Sequence, residues 1–115
     1  MKSRIAPTKF RILSGDDIAM GPGKSDLIAA IEATGSISQA AKQLGMSYRR
    51  AWTLVDTMNR CFKEPLVTTA TGGDHGGGAR VTDFGREVLR RFNAMQAKAD
   101  AAISADVAAF SKLMR

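Results

Sequence analysis

Apolar positions follow the spacing of helices over most of the chain and the spacing of strands over shorter stretches. Between residues 24 and 34 they fall on one helical face, which predicts a first helix with Ser25 as its N-cap and Gly35 at its end. Before it, polar and apolar side chains alternate over residues 9–13, as they do in a short strand. We therefore expect the first roughly 20 residues to form an arm or edge strand.

Two more helices are predicted on either side of a single glycine. Residues 37–44 have apolar side chains at helical spacing, with Ser38 placed as the N-cap and Gly45 placed for a left-handed residue after the end. Ser47 is the next suitable N-cap, and the apolar stripe that follows it continues to about Lys63, where a nearby proline limits the helix. The connection between the two helices is only long enough for a tight turn.

The second half of the chain predicts a hairpin and one long helix. Residues 66–71 are rich in β-branched side chains, residues 72–78 are mostly glycine, and residues 79–82 can pair back as a second strand. From about residue 83 apolar side chains recur every three or four positions without a proline, which predicts a helix about 45 Å long. Because that exceeds the width of a domain of this size, we expect a partner subunit to cover part of its stripe in a two-fold dimer. The alternative is a helix that frays after Ser104 or folds back on its own core.

Two helices joined by a short turn that contains glycine form a helix-turn-helix, and the turn here is Gly45-Met46-Ser47. Ala41 is small at the position where the two helices would cross. Arginines at the start of the second of these helices can form forked hydrogen bonds with guanine or grip phosphate, whereas an ordinary solvated face is the alternative. Four side chains should face solvent at this end, which enters a major groove in the motif: Tyr48, Arg49, Arg50 and Thr53.

A β-ribbon directly after a recognition helix is the wing of a winged helix. Its glycine-rich tip would allow backbone N–H groups and Arg80 to approach phosphates or an adjacent minor groove. A nucleotide-binding loop is excluded, because Gly78-Ala79 stand where a P-loop requires Lys followed by Ser or Thr.

These elements predict a mainly α protein with a small β wing, arranged as a winged helix-turn-helix with a long C-terminal dimerisation helix. We assign residues 1–82 to an N-terminal arm and winged helix-turn-helix DNA-binding domain, and residues 83–115 to the dimerisation helix. A chain of 115 residues suits one domain with such an appendage.

The net positive charge of the chain favours a polyanionic binding partner. Seventeen Lys and Arg residues stand against eleven Asp and Glu residues, which gives a formal net charge of +6. The cations at the N-terminus form either a second phosphate-contacting arm or an ordinary basic terminus: Lys2, Arg4, Lys9 and Arg11. We expect double-stranded DNA as the partner.

Residue types for catalysis or metal binding do not cluster in the sequence. His75 is the single histidine and lies among glycines, Cys61 has no histidine near it in sequence, and Asp16-Asp17 occupy a predicted turn. We therefore predict no enzyme activity, no metal site and no cofactor. The N-terminus lacks the apolar region of a signal peptide, and no apolar run is long enough to span a membrane, so we expect a cytoplasmic protein without a membrane partner.

Three segments resemble the N-terminal DNA-binding domain of the ModE-type, molybdate-responsive transcription regulators. They are Gly35-Ser-Ile-Ser-Gln-Ala-Ala-Lys42, Ser47-Tyr-Arg-Arg-Ala-Trp52 with Met58-Asn59, and the glycine-rich stretch from Ala70 to Ala79. A more distant likeness to the winged helix of LysR-type regulators lies in Ser38-x-Ala-Ala and Val81-Thr-Asp-Phe-Gly85.

The ModE-type resemblance implies a winged-helix homodimer that binds a palindromic operator, with the long helix as the dimer arm. It implies that the wing from Thr71 to Arg80 contacts the DNA backbone. Trp52 matches the motif, and we expect it to pack at the edge of the helix pair rather than to contact bases. The resemblance also places five residues at the groove: Ser47, Tyr48, Arg49, Arg50 and Thr53.

Members that sense molybdate carry small oxyanion-binding β-barrel domains after the long helix, and this sequence ends at Arg115 without them. We therefore do not expect this chain to bind molybdate itself. It is a one-domain regulator, has its sensor on another polypeptide, or is a piece of a longer protein. Two other functions stay open, a nucleoid protein indifferent to DNA sequence and an adaptor whose long helix pairs with a separate sensor chain.

Overall fold

The computed structural model describes residues 8–70 and 78–115. Within these residues four helices combine with two separate antiparallel strand pairs, β1 with β2 and β3 with β4. The mainly α fold with a small β wing and a long C-terminal helix is thereby confirmed. The elements in chain order are β1 (Ile12–Ser14), β2 (Asp17–Met20), α1 (Pro22–Thr34), α2 (Ile37–Leu44), α3 (Tyr48–Cys61), β3 (Val67–Ala70), β4 (Gly78–Val81) and α4 (Asp83–Ser111).

The N-terminal segment forms a hairpin rather than the single strand expected over residues 9–13. Its two strands meet at a turn in which Gly15 has a φ of 60°. The second strand was missed in the sequence because its few residues are too short for a periodic signal. Burial decides its conformation, since Ala19 and Met20 are almost fully inaccessible in the core.

The first helix begins earlier than predicted, and Ser25 is not its N-cap. Helix α1 starts at Pro22 with Gly21 as the N-cap, and the Ser25 hydroxyl donates to the Pro22 carbonyl oxygen at 3.0 Å. Proline suits the first position of a helix because its fixed φ is already helical and its missing N–H would have no partner there. The Gly-Pro-Gly segment thus starts a helix.

The turns around α2 and α3 agree with the sequence in all but one cap. Gly35 and Gly45 adopt left-handed conformations with φ values of 69° and 66°, and the Ser47 side chain accepts from the Arg50 N–H at 3.0 Å, all as predicted. Ser38 was the wrong N-cap for α2, because Ser36 takes that role and accepts from the Gln39 N–H at 3.1 Å. The helix therefore begins directly after Ser36 and buries Ile37 in its first turn.

Small side chains allow α2 and α3 to lie close together, as the motif requires. Ala41 is 2% exposed and Ala51 is fully buried. Met46 and Leu54 are partly buried and pack against the same core. The remaining core comes from β2, α1, α3, the wing and α4. Its largest fully buried side chains are Met20, Leu27, Ile28, Ile31, Met58, Leu66 and Val81.

Helix α4 starts directly on the wing and remains helical to Ser111, so the alternative of fraying after Ser104 or folding back is wrong. The Thr82 hydroxyl caps it by accepting from the Gly85 N–H at 2.8 Å, and it donates to the Pro65 carbonyl oxygen at 2.8 Å. Only glycine fits at position 85, because a Cβ there would lie 2.3 Å from the Leu66 carbonyl oxygen. This close approach fixes where α4 leaves the wing.

Candidate nucleic-acid interface

Two exposed arginines lie at the start of α3. Arg49 and Arg50 are exposed, and neither forms an ion pair within residues 8–70 and 78–115. Ser47 holds the backbone of this turn by capping it, so the two guanidinium groups project from a well-formed helix end. Both are available to form forked hydrogen bonds with bases or phosphates.

Tyr48 and Thr53 complete the predicted set on the same helix end. Tyr48 is 55% exposed. The Thr53 hydroxyl donates to the Arg49 carbonyl oxygen at 3.0 Å, one turn back along the helix. The hydroxyl proton of Thr53 is therefore already used in a hydrogen bond. Towards a ligand, Thr53 can act only as an acceptor through its hydroxyl oxygen or make apolar contact through its methyl group.

A cleft of about 260 Å³ lies between the start of α2, the start of α3 and the wing. Tyr48 and Trp52 form its α3 side, with ring centroids 6.2 Å apart and ring planes at 79°. Ser36 and Ser38 line the α2 side, while Thr69 and Gly78 are among the lining residues of the wing. Trp52 is 37% exposed, so it lies at the edge of the helix pair with part of its ring open to the cleft.

The wing keeps one side chain of the predicted site apart from this cleft. Arg80 is exposed on β4, between the buried side chains of Ala79 and Val81. It lines a neighbouring cleft with Glu32 and Arg86. The structure therefore brings Ser47, Tyr48, Arg49, Arg50 and Thr53 together at the start of α3 and places Arg80 on the wing, while Thr71 lies outside the described residues.

Backbone and side-chain contacts fix the wing against the helices. The Ala79 N–H donates to the Gly35 carbonyl oxygen at 2.9 Å, which attaches β4 to the α1–α2 turn. Asn59, near the end of α3, accepts from the Leu66 N–H at 2.8 Å and donates to the Val67 carbonyl oxygen at 2.9 Å. Sequence reasoning missed this positioning role, although an amide side chain directly after core residue Met58 was a visible signal.

Arginine charge at the far end of α3 is balanced, in contrast to its start. Arg60 forms ion pairs with Asp56 at 3.2 Å and with Asp17 at 3.5 Å. The hydrogen bond to Asp56, followed by the charge of Asp17, raises the pKa of Arg60. Helix α3 thus presents unpaired positive charge at one end only.

The arginines of α4 are balanced in the same way. Arg90 and Arg91 bond to Glu87 at 2.5 and 2.9 Å, and these bonds, that of Arg90 first, lower the pKa of the Glu87 carboxyl. Arg86 pairs with Glu32 at 3.2 Å and also with Asp83. These exposed pairs add little stability, but they remove three cations from competition with Arg49 and Arg50 for an anionic ligand.

Among residues 8–70 and 78–115, no group of three or more His, Cys, Asp or Glu side chains could hold a metal ion. In the same part of the chain, no helix combines the length and apolar character that crossing a membrane requires. Cys61 is a half-buried free thiol, and His75 lies outside the described residues.

Relatives in sequence share this helix-turn-helix region. The chain is 36% identical to the molybdenum transport protein ModE of Azotobacter vinelandii, over 93% of this chain and 45% of that protein. It is 40% identical to the DNA-binding transcriptional dual regulator ModE of Escherichia coli K12, over 63% of this chain and 28% of that protein. The chain therefore spans less than half the length of these relatives.

Solved structures share the fold at lower identity. Full-length LysG from Corynebacterium glutamicum, an LTTR with bound effector Arg, superposes with a TM-score of 0.54 and 23% identity, over 77% of this chain and 30% of that chain. ArgP from Mycobacterium tuberculosis gives a TM-score of 0.51 and 19% identity, over 71% and 30%. At sequence identities this low, the superpositions support a common fold and nothing further.

The family model described as a bacterial regulatory helix-turn-helix protein of the lysR family matches residues 26–86, which is more than half of the chain. That match begins in α1 and ends in the first turn of α4, so it includes α2, α3 and the wing. The chain belongs to the LysR-type family of bacterial regulatory helix-turn-helix proteins, and its winged helix-turn-helix is ModE-like.

Proposed function

We propose that this chain is a sequence-specific, DNA-binding transcription regulator that acts as a homodimer on a palindromic operator. The observation that carries the proposal is the pair of unpaired, exposed arginines at the capped start of α3. In a helix-turn-helix this end of the second helix enters the major groove, where arginine can donate two hydrogen bonds to one guanine. Tyr48 and Thr53 then reach bases or phosphates beside them, and Ser47 orients the turn.

The wing supplies contacts outside the major groove. Arg80, on a β-ribbon that Asn59 attaches to α3, approaches the DNA backbone or the next minor groove, and we propose the same contact for Thr71. Contacts of this kind fix the register of the protein on the duplex but carry little sequence information.

Exposed apolar side chains along α4 support the homodimer. This helix has 29 residues and is about 44 Å long. Its stripe of Met95, Ile103 and Phe110 is 40%, 39% and 63% exposed, and Leu113 beyond it is 81% exposed. A second copy of α4 would cover these side chains and place two α3 helices in successive major grooves, about 34 Å apart.

Accordingly, residues 1–82 serve as the arm and DNA-binding domain and residues 83–115 as the dimerisation helix of a cytoplasmic protein. The proposal includes no enzyme activity, no cofactor and no molybdate site on this chain. DNA binding should therefore occur without added molybdate.

In-vitro selection of bound duplexes from a random pool, with the purified chain at physiological salt and without molybdate, tests the proposal. Recovery of a palindrome with half-sites about one helical turn apart supports it. Binding without sequence enrichment would identify a nucleoid-type protein instead, and a chain that binds no DNA would fit an adaptor that pairs through α4 with a sensor. A variant with both Arg49 and Arg50 replaced by alanine is the control for selection through α3.

A further inference from the structure

A basic cleft lies beside α3, between residues 9–11, which precede β1, and the first turn of α1. Its volume is about 330 Å³. No carboxylate is among its lining residues in the described part of the chain. Four of its lining side chains are cationic: Lys9, Arg11, Lys24 and Arg50.

Lys24 is the unusual member of this group because it is only 8% exposed. Within the described residues its ammonium group makes no hydrogen bond or ion pair. Burial is the largest influence on its pKa and lowers it. The charges of Arg50 and Arg11 act in the same direction, while those of Cys61 and Asp17 act in the opposite one. Asp17 is itself paired with Arg60 at 3.5 Å. Most of the Lys24 side chain is therefore buried, while its ammonium group lines the cleft and can bind an anion there.

The start of α1 opens onto the same cleft and adds to its attraction for anions. Gly21, the N-cap, offers no side chain to accept from the first turn, and that turn contains no acidic residue. The free N–H groups and the helix dipole therefore favour an anion at this point. Glycine also gives Arg11 room, since a Cβ at position 21 would lie 3.2 Å from its Cγ.

We propose that this cleft binds a phosphate-type oxyanion between the Lys24 ammonium, the guanidinium groups of Arg11 and Arg50, and the first turn of α1. The anion has two possible sources. One is a backbone phosphate of DNA that flanks the groove occupied by α3, which rests on the proposed function. The other is a free inorganic oxyanion, which does not. Arg50 belongs to both this cleft and the start of α3, so the cleft adjoins the proposed DNA-binding end of that helix.

The test compares Lys24→Met with Lys98→Met in the full chain. Methionine keeps the buried aliphatic packing of Lys24 without its charge. Lys98 is an exposed lysine on α4, and its replacement by methionine changes the net charge by the same amount. Two quantities are measured for each variant. They are the slope of log affinity for DNA against log salt concentration, and the binding of inorganic phosphate in the absence of DNA by calorimetry.

If the cleft binds a backbone phosphate of DNA, Lys24→Met makes the slope of log affinity against log salt concentration less steep by about 0.9. It then weakens binding about equally for selected and scrambled duplexes. Lys98→Met leaves the slope unchanged. For a free oxyanion, the wild type binds inorganic phosphate, Lys24→Met does not, and the salt slope stays the same. Equal behaviour of the two variants in both measurements would overturn the proposal.

Arg11→Gln, at an exposed position directly before β1, provides a second variant. It replaces Lys24→Met if circular dichroism shows that the Lys24→Met chain does not fold. The two proposals fail separately. A wild-type chain that binds no DNA contradicts the proposed function, and phosphate binding then still decides whether the cleft is an anion site.

Discussion

Asn59 binds both backbone groups of Val67, and so joins the helix that carries the two free arginines to the wing. Its amide donates to the Val67 carbonyl oxygen at 2.9 Å, and its oxygen accepts from the Val67 N–H at 3.3 Å as well as from the Leu66 N–H at 2.8 Å. Strand β3 is therefore positioned in part by a side chain of α3.

Replacement of Asn59 by alanine should destabilise the chain by about 1–3 kcal/mol, because it leaves two partly buried N–H groups and one carbonyl without partners. Urea unfolding measures the loss. Asn93→Ala, at an exposed position on α4, is the matched control and should change the free energy of unfolding by less than about 0.5 kcal/mol. Equal effects of the two substitutions would mean that Asn59 does not hold the wing.

A methyl group at position 85 should also be costly, since it would lie 2.3 Å from the backbone oxygen of Leu66. We expect Gly85→Ala to destabilise the chain by at least about 1–3 kcal/mol in thermal or urea unfolding. Gly23→Ala, in α1, meets open space and should stabilise it by about 0.4–1 kcal/mol. If Gly85→Ala were as stable as Gly23→Ala, α4 could not start as close to Leu66 as it does.

Stability should depend on pH through Lys24. Burial, then the charges of Arg50 and Arg11, hold its folded-state pKa below the ordinary value of 10.5, while the Cys61 thiol and Asp17 act in the opposite direction. Between the lowered pKa and 10.5 the unfolded chain binds more protons at this side chain, so the free energy of unfolding rises with pH in that window. Below the lowered pKa the side chain is charged in both states and the full penalty of burial remains.

Wild type should therefore gain stability relative to Lys24→Met between neutral pH and about pH 10. Urea unfolding of both chains across this range measures the difference, and variation shared by the two cancels. A difference that stays constant, or one that changes in favour of Lys24→Met as the pH rises, would show that Lys24 is not desolvated.

Dimer formation should depend on the exposed stripe of α4. Ile103→Asp places a charge among apolar side chains that a second copy would cover, so it should shift the sedimentation of the chain from dimer to monomer at micromolar concentration. Ala105→Asp adds the same charge on the opposite side of the helix and should leave the dimer intact. A dimer that survives Ile103→Asp would require a different interface.

Local sequence signals predicted most of the helices, because capping residues at the ends of each helix are recognisable by residue type. The left-handed glycines at 35 and 45 and the serine cap at 47 act within one turn of chain, and residue type alone indicates them. Ser36 and Ser38 are both chemically suitable caps for α2. The choice between them depends on burying Ile37 in the first turn, and this is a tertiary effect that spacing does not reveal.

The candidate site was predictable to the same degree. Exposed arginines after a helix-turn-helix turn are visible in sequence, and the structure places all five α3 residues of the predicted set on one helix end. What the sequence could not show is which cations already have partners. Arg60 is paired with Asp17, 43 positions away, and the basic cleft of Lys24 forms from three segments that meet only in the fold.

Loss of specificity on removal of Arg49 or Arg50 tests the proposed recognition surface most directly. The measurement is the ratio of affinities for the selected palindrome and a scrambled duplex, at one stated salt concentration, for Arg49→Ala, Arg50→Ala and the charge-matched control Lys98→Ala. We predict that at least one arginine variant loses about 1–3 kcal/mol of discrimination, while Lys98→Ala keeps the wild-type ratio. A wild-type ratio in both arginine variants would contradict DNA reading by α3.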